Sequence, residues 1–311
     1  MLKFDRLKIV TSIEYISNIE TNIFLTQSIG NRPLYYKYLQ ETPFYLLIMA
    51  DISKQELVIE YTGKILLDDY PQLINRTNIR NCFETINRMG ICCLDVENIM
   101  EKGEIWKCDV TQDITSNQLT EIVKQTKQSI ANYDKWNCDR YETDGICIYN
   151  SVKTKRHKKR LIIYDKHKEL SKATNQDFFN KVHDSEKMMD YFKDKIRFEV
   201  NINTKEQIRK LLDITDNRIK SVMNSTANPI LKVYDEATTS KEFTIHHTNM
   251  KDYMRELVIK DCNYDLEAIE AKIRSLTPKN TSIKLKMQPF RELVSRMQNG
   301  NVHNYIRNLL V

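Results

Sequence analysis

The chain has 311 residues, 41% of them hydrophobic and 29% charged, with six Gly and six Pro. That composition can fill a sizeable core, and it excludes a mostly disordered, collagen-like or low-complexity chain. Lysine and arginine number 48 against 42 acidic residues, a formal net charge of +6, which permits a polyanionic partner without requiring one.

The opening MLKFDRLKIV carries charges at positions 3, 5, 6 and 8 and reads as a strand over 4–10, not as a signal peptide. Further strand patterns follow at 44–50, 56–62, 104–111, 145–151, 160–166 and 195–202. Helix patterns lie between them. Segment 78–89 has Ile79, Cys82, Phe83 and Ile86 at helical spacing, with Gly90 as a stop. Segment 117–134 has Leu119, Ile122, Val123, Ile130 and Tyr133 on one face, after Ser116 as an N-cap. Segment 176–193 carries Phe178, Phe179, Val182, Met189 and Phe192.

From about residue 204 the strand signal fades. Thr204 and Gln207 form a capping-box pattern, and helical patterns follow at 216–224, 249–259, 265–276, 289–299 and 302–310. The chain is therefore expected to be α+β over 1–203 and mainly helical over 204–311, with no internal repeat. No apolar run approaches the ~18–20 residues of a membrane span. The seven cysteines form no Cys-x-x-Cys pair and read as reduced thiols of a cytoplasmic protein.

The strands share one informative feature. Alternate side chains point to opposite faces, so 195–202 places Ile196, Phe198, Val200 and Ile202 against Lys195, Arg197, Glu199 and Asn201. In 104–110, Trp106, Cys108 and Val110 oppose Lys107 and Asp109. In 160–166, Leu161 and Ile163 oppose Arg160, Ile162, Tyr164 and Lys166, and in 56–61 Glu60 opposes Leu57, Ile59 and Tyr61. A wet face of ordinary solubilising charges is the bland account of any one strand. Mid-strand Asp is disfavoured, however, and Glu60, Asp109 and Glu199 together suit a hard cation such as Mg²⁺ or Mn²⁺.

A basic hairpin is the second feature. Lys153, Lys155, Arg156, His157, Lys158, Lys159 and Arg160 are interrupted only by Thr154 and lead into Tyr164. Most charge runs are solvated loops, but a cationic loop beside a candidate nucleophile suits a phosphodiester substrate. The chain has no P-loop or Rossmann glycine pattern, no Gly-x-Ser-x-Gly and no His-x-His pair, which argues against NTPase and dinucleotide chemistry.

Four runs, in this order, resemble the gene II/X replication initiators of filamentous phages and their plasmid relatives. They are VIEYTGK (58–64), WKCDVT (106–111), RHKKRLIIYDKHKEL (156–170) and IRFEVNI (196–202). The resemblance implies a rolling-circle initiator of the HUH nickase–ligase type, with a central antiparallel sheet of about five strands and helices on one face. It implies Tyr164 as nucleophile, Lys166 as its cationic partner, and Glu60, Asp109 and Glu199 as carboxylates at the metal, to which His157 is a further candidate. It also implies single-stranded or supercoiled origin DNA as substrate, a 5′-phosphotyrosine with a free 3′-OH, and a host helicase and polymerase as partners in a bacterial cytoplasm. Two other functions fit the same residues: a non-catalytic origin-binding protein, and a metal-dependent nuclease that uses water.

Overall fold

The structure, a computed structural model, describes every residue except 30–31, 131–134, 153, 155–157, 239–248, 263–264 and 278–281, and only the backbone at 29, 32, 128 and 295–305. The β-branched and aromatic runs form twelve strands, in chain order β1 (Phe4–Ser12), β2 (Ile16–Ser17), β3 (Leu25–Ile29), β4 (Arg32–Gln40), β5 (Leu46–Asp51), β6 (Glu56–Thr62), β7 (Cys93–Leu94), β8 (Glu104–Thr115), β9 (Trp136–Tyr141), β10 (Gly145–Asn150), β11 (Arg160–Asp165) and β12 (Lys195–Ile202).

Ten of them build one antiparallel sheet in the order β3-β4-β5-β6-β1-β8-β12-β11-β10-β9, and β2 pairs with β7 apart from it. The expected five strands are thus ten, and the sheet has two halves that follow the same path. In one, β1 is followed by the meander β3 to β6, whose last strand returns beside β1. In the other, β8 is followed by the meander β9 to β12, whose last strand returns beside β8. The first strand of each half meets the other, antiparallel, at the centre. This doubled path differs from the single five-stranded HUH-type sheet that the motifs imply.

The helices are α1 (Ile79–Arg88), α2 (Val96–Lys102), α3 (Leu119–Ser129), α4 (Lys166–Leu170), α5 (Gln176–Phe179), α6 (Ser185–Phe192), α7 (Lys205–Leu212), α8 (Ile219–Asn224), α9 (Pro229–Ala237), α10 (Met250–Asp261), α11 (Leu266–Ser275) and α12 (Ile283–Leu310). One continuous core joins the inner sheet face to α1, α3, α7, α8, α9 and the end of α12, through residues such as Leu7, Ile59, Phe83, Ile122, Phe198, Ile208, Tyr234 and Ile306. Residues on both sides of position 203 share it. A separate small cluster, Ile259, Ile269, Met287, Leu293 and Val294, holds α10, α11 and the first half of α12 together.

Helices do not cover one face alone. The 3-10 stretch Gly63–Gln72 and helices α4 to α6 lie over one end of the opposite, polar face, around Tyr70, Leu73, Leu170, Phe178 and Phe192. Arg197 links them to the sheet, with its guanidinium over the Tyr70 and Phe192 rings at 5.6 and 5.7 Å. Gly90, at φ +70°, ends α1 as its sequence position suggests. The 117–134 pattern forms α3 as far as Ser129, and Tyr133 lies outside the described residues. The 176–193 pattern is broken between α5 and α6, where the Asp184 side chain accepts from Lys187 N and starts a new helix. No helix among the described residues is long and apolar enough to cross a membrane.

Candidate nucleic-acid cleavage site

The polar face is built by register. Glu60 stands opposite Lys8, Lys8 opposite Lys107, Asp109 opposite Asn201, Glu199 opposite Ile162, and Arg197 opposite Tyr164. Period-two alternation thus carries the polar side chains of β6, β1, β8, β12 and β11 onto one surface. Two β-bulges at the β1–β8 seam re-aim side chains. The register shifts between Phe4 and Arg6, so Asp5 is the extra residue there. It shifts again between Lys8 and Ile9, where Trp106 is the extra residue on β8. The second bulge corrects one expectation. Ile105, not Trp106, shares the core side with Cys108 and Val110, and Trp106 stays half-buried outside the core.

Where the polar face meets the Gly63–Gln72 layer, a cavity of about 400 Å³ is lined by Asp5, Arg6, Thr62, Lys64, Asp109, Tyr141, Tyr164, Lys166, Glu169 and Glu199, and by the loop 41–45. Tyr164 is 5% exposed and its hydroxyl donates to Glu199 Oε2 at 3.3 Å. Burial and the Glu199 carboxylate push its pKa well above that of free tyrosine. Lys166 is fully buried, ion-paired to Glu169, and stands 5.8 Å from the centre of the Tyr164 ring. Burial alone would lower the Lys166 pKa, but Tyr70, Glu169 and Asp5 outweigh it and hold the ammonium charged. Behind them Arg197 chelates Asp113 at 2.7 and 2.8 Å, donates to Tyr70 at 3.0 Å and lies 3.4 Å from Asp5.

The carboxylates of this cavity repel one another. Burial, then Asp109 and Asp5, raise Glu199 to about 8. Burial raises Asp109 to about 6 against the pull of Lys107 and Arg6. Burial opposes ionisation of Asp5 as well, but Arg197, Lys166 and Lys64 hold it below the usual carboxylate range. Asp5 Oδ1, Thr62 Oγ1 and Asp109 Oδ1 are buried with no hydrogen-bond partner, and all three residues line this one cavity. An all-oxygen donor set with unsatisfied buried atoms fits a hard divalent cation in chemistry. In spacing, no three His, Cys, Asp or Glu side chains among the described residues are grouped closely enough to hold one.

The structure gathers Tyr164, Lys166, Asp109 and Glu199 at the cavity. Lys166 is not a continuation of the strand, as its alternation implies. It opens α4, whose N-cap is Asp165, yet its side chain reaches the same cavity. Glu60 lies on the same face outside the cavity lining, paired to Arg6 at 2.7 Å and to Lys107 at 3.5 Å. Lys153, Lys155, Arg156 and His157 lie outside the described residues. Lys158 lies over the Tyr149 ring at 4.9 Å, Lys159 is paired to Glu236 at 2.5 Å, and Arg160 is exposed opposite Tyr149 on the polar face.

Sequence reasoning missed Asp5, Lys64 and Glu169. Asp5 needs the bulge to reach the cavity. Lys64 and Glu169 carried a signal, since both stand inside the quoted runs VIEYTGK and RHKKRLIIYDKHKEL.

A buried tyrosine facing carboxylates and flanked by lysines, at the edge of an open polar sheet, defines a protein equipped for phosphate-ester chemistry. Residues 79–222 match the family described as the N-terminal part of a phage replication-associated protein of the gene II type, and this stretch belongs to that family. The match covers just under half of the chain. It includes Asp109, Tyr164, Lys166, Glu169, Arg197 and Glu199, and it agrees with the gene II-type motifs. No curated protein and no solved structure matches the chain.

Proposed function

We propose that the protein is a rolling-circle replication initiator that cuts single-stranded or melted origin DNA with Tyr164 and later reseals it. The observation that carries this reading is the Tyr164 hydroxyl, set in a cavity between Glu199 and the ammonium groups of Lys64 and Lys166, within the family-matched stretch. In the forward step Tyr164 Oη attacks the scissile phosphorus. The bond from phosphorus to the 3′ oxygen breaks, the 5′ phosphate stays on tyrosine, and the 3′ oxygen leaves as a hydroxyl after taking a proton.

Glu199 is placed to take the phenol proton, and its raised pKa, about 8, is a closer match to a phenol than an ordinary carboxylate is. Lys166, held charged, offsets the charge that builds on the phenolate and on the phosphoryl oxygens. Asp5, Asp109 and Glu199, with Thr62, are the residues that would hold Mg²⁺ or Mn²⁺, and Glu60, held by Arg6 and Lys107, would support them from the side. Such a cation would draw charge off the scissile phosphate and orient it. The covalent link conserves the bond energy, so the same site reseals without ATP. The free 3′-OH would prime a host polymerase after a host helicase opens the duplex, which places the reaction in the bacterial cytoplasm.

The test is covalent capture. Wild-type protein with Mg²⁺ and labelled single-stranded origin DNA should give a protein–DNA adduct on a denaturing gel. Tyr164→Phe should abolish the adduct and keep DNA binding. Tyr149, half-buried on the next strand and bonded to Asp139 at 2.8 Å, is the control, and Tyr149→Phe should leave the adduct intact. Cleavage without any adduct would mean a nuclease that uses water, and binding without cleavage would mean an origin-binding protein.

A further inference from the structure

The β1–β8 seam does not end at the cleavage cavity. Past Arg6 and Asp109 it continues through Lys8 and Lys107 to a second, open cavity of about 620 Å³, lined by Tyr15, Glu56, Lys102, Glu104, Trp106 and Arg218. The bulge at Trp106 makes it: Ile105 takes the core position and the larger indole is turned out. A sequence that needed only packing would leave the tryptophan inside, because an indole on a wet surface forgoes most of its burial energy. Here the ring is held in place by Lys205, whose Nζ stands 4.8 Å from its centre, and by its own N–H, which donates to Glu104 at 3.3 Å. Bulges recur next to functional sites because they re-aim a side chain.

The geometry points to a nucleobase-stacking subsite in which Trp106 takes one base of the single strand whose phosphate lies at Tyr164. This rests on the nucleic-acid reading above. The chemistry divides along the seam. Lys8 and Lys107 lie between the two cavities and suit the backbone. Glu56 and Glu104 at the second cavity would repel a phosphate, but their carboxylates accept from exocyclic amino groups of bases. From Arg6 to Val10 the strand rises about 13 Å at ~3.3 Å per residue, which spans about four nucleotides stacked at ~3.4 Å each and fewer in an extended strand. The subsite would therefore read a base a few nucleotides from the cut and contribute to origin choice.

The test is binding, not cleavage. Full-length wild type, Trp106→Ala and Trp106→Phe are titrated with oligo(dT), following Kd and tryptophan emission, with thermal unfolding as the control for folding. Stacking predicts that oligo(dT) quenches wild-type emission and that this quenching is lost in Trp106→Phe, since the other tryptophan, Trp136, is buried. It also predicts that Trp106→Ala weakens binding by roughly 5- to 150-fold, while Trp106→Phe retains most of the affinity. If Trp106→Ala binds oligo(dT) as wild type does, the subsite is overturned, whatever covalent capture by Tyr164 reports. Absence of an adduct, with quenching and the affinity loss both present, would overturn the nicking reading and leave the subsite standing.

Discussion

The crowding of carboxylates at the cleavage cavity makes stability fall with rising pH, and a divalent cation should reverse that slope. Glu199 is raised from an ordinary 4.5 to about 8 and Asp109 from 3.8 to about 6. Between the unfolded and folded values the folded chain holds a proton that the unfolded chain has already released. The contribution to stability is thus complete below about pH 4, where both states are protonated, and is lost as pH climbs toward 8. One proton over one pH unit is worth ~1.4 kcal/mol. For a coupled pair at a partly accessible site the loss between about pH 5 and pH 8 should be on the order of 2–4 kcal/mol, or roughly 5–10 °C in Tm. The assay is calorimetry across that range in EDTA, repeated with Mg²⁺ or Mn²⁺. With the metal, the high-pH loss should largely disappear, because the cation takes over the role of the proton. Glu199→Gln, which cannot ionise, should flatten the slope above about pH 6. A stability in EDTA that is level or rising from pH 5 to 8, or a Glu199→Gln protein with the wild-type slope, would refute the reasoning.

Arg197→Met should cost about 3–5 kcal/mol in urea denaturation, because it leaves Asp113, whose side chain is 6% exposed, as a buried charge without its chelating partner. Adding Asp113→Leu should recover most of that loss, and a double variant no better than the single would place the cost elsewhere than in the unpaired carboxylate. Gly145→Ala should lower the midpoint by about 1–3 kcal/mol. Its Cβ would stand 2.6 Å from Ile163 O and 3.0 Å from Tyr164 Cβ, so the strand bearing the tyrosine must shift, and slower adduct formation should accompany the loss.

The legible parts of the fold are those where one physical rule acts alone. In β12, residues 195–202 alternate without interruption, and their division into core and polar faces holds along the strand. The Thr204 cap holds too, with its hydroxyl accepting from Gln207 N at 3.2 Å. Edge strands are harder. β9, WNCDRY, and β4, RPLYYKYLQ, lie at or near the margins of the sheet, where solvent reaches both faces and the apolar–polar contrast that marks a strand is weak. The repeated path of the two halves left no trace in the residues, because a strand needs only a pattern to keep its place, not a particular sequence. Helix α12 runs through Pro289, although proline usually marks a helix start or a break.

The site was legible on one side of the seam and hidden on the other. Tyr164, Asp109 and Glu199 stand where alternation in β11, β8 and β12 places them. Asp5 and Trp106 do not, because each is the extra residue of a bulge, and one inserted residue reverses the parity on which every such assignment depends. Both bulges fall where the two halves of the sheet join, and the two cavities open at the two ends of that join. Two antiparallel first strands meeting face to face must reconcile the twists of separate meanders, and an extra residue in a strand increases local twist. The same device that lets the halves join therefore turns a carboxylate toward the tyrosine at one end and an indole toward solvent at the other. On this view the chemistry of the protein belongs to the seam, and shortening either bulge by deleting Asp5 or Trp106 would remove a function by moving a side chain to the wrong face.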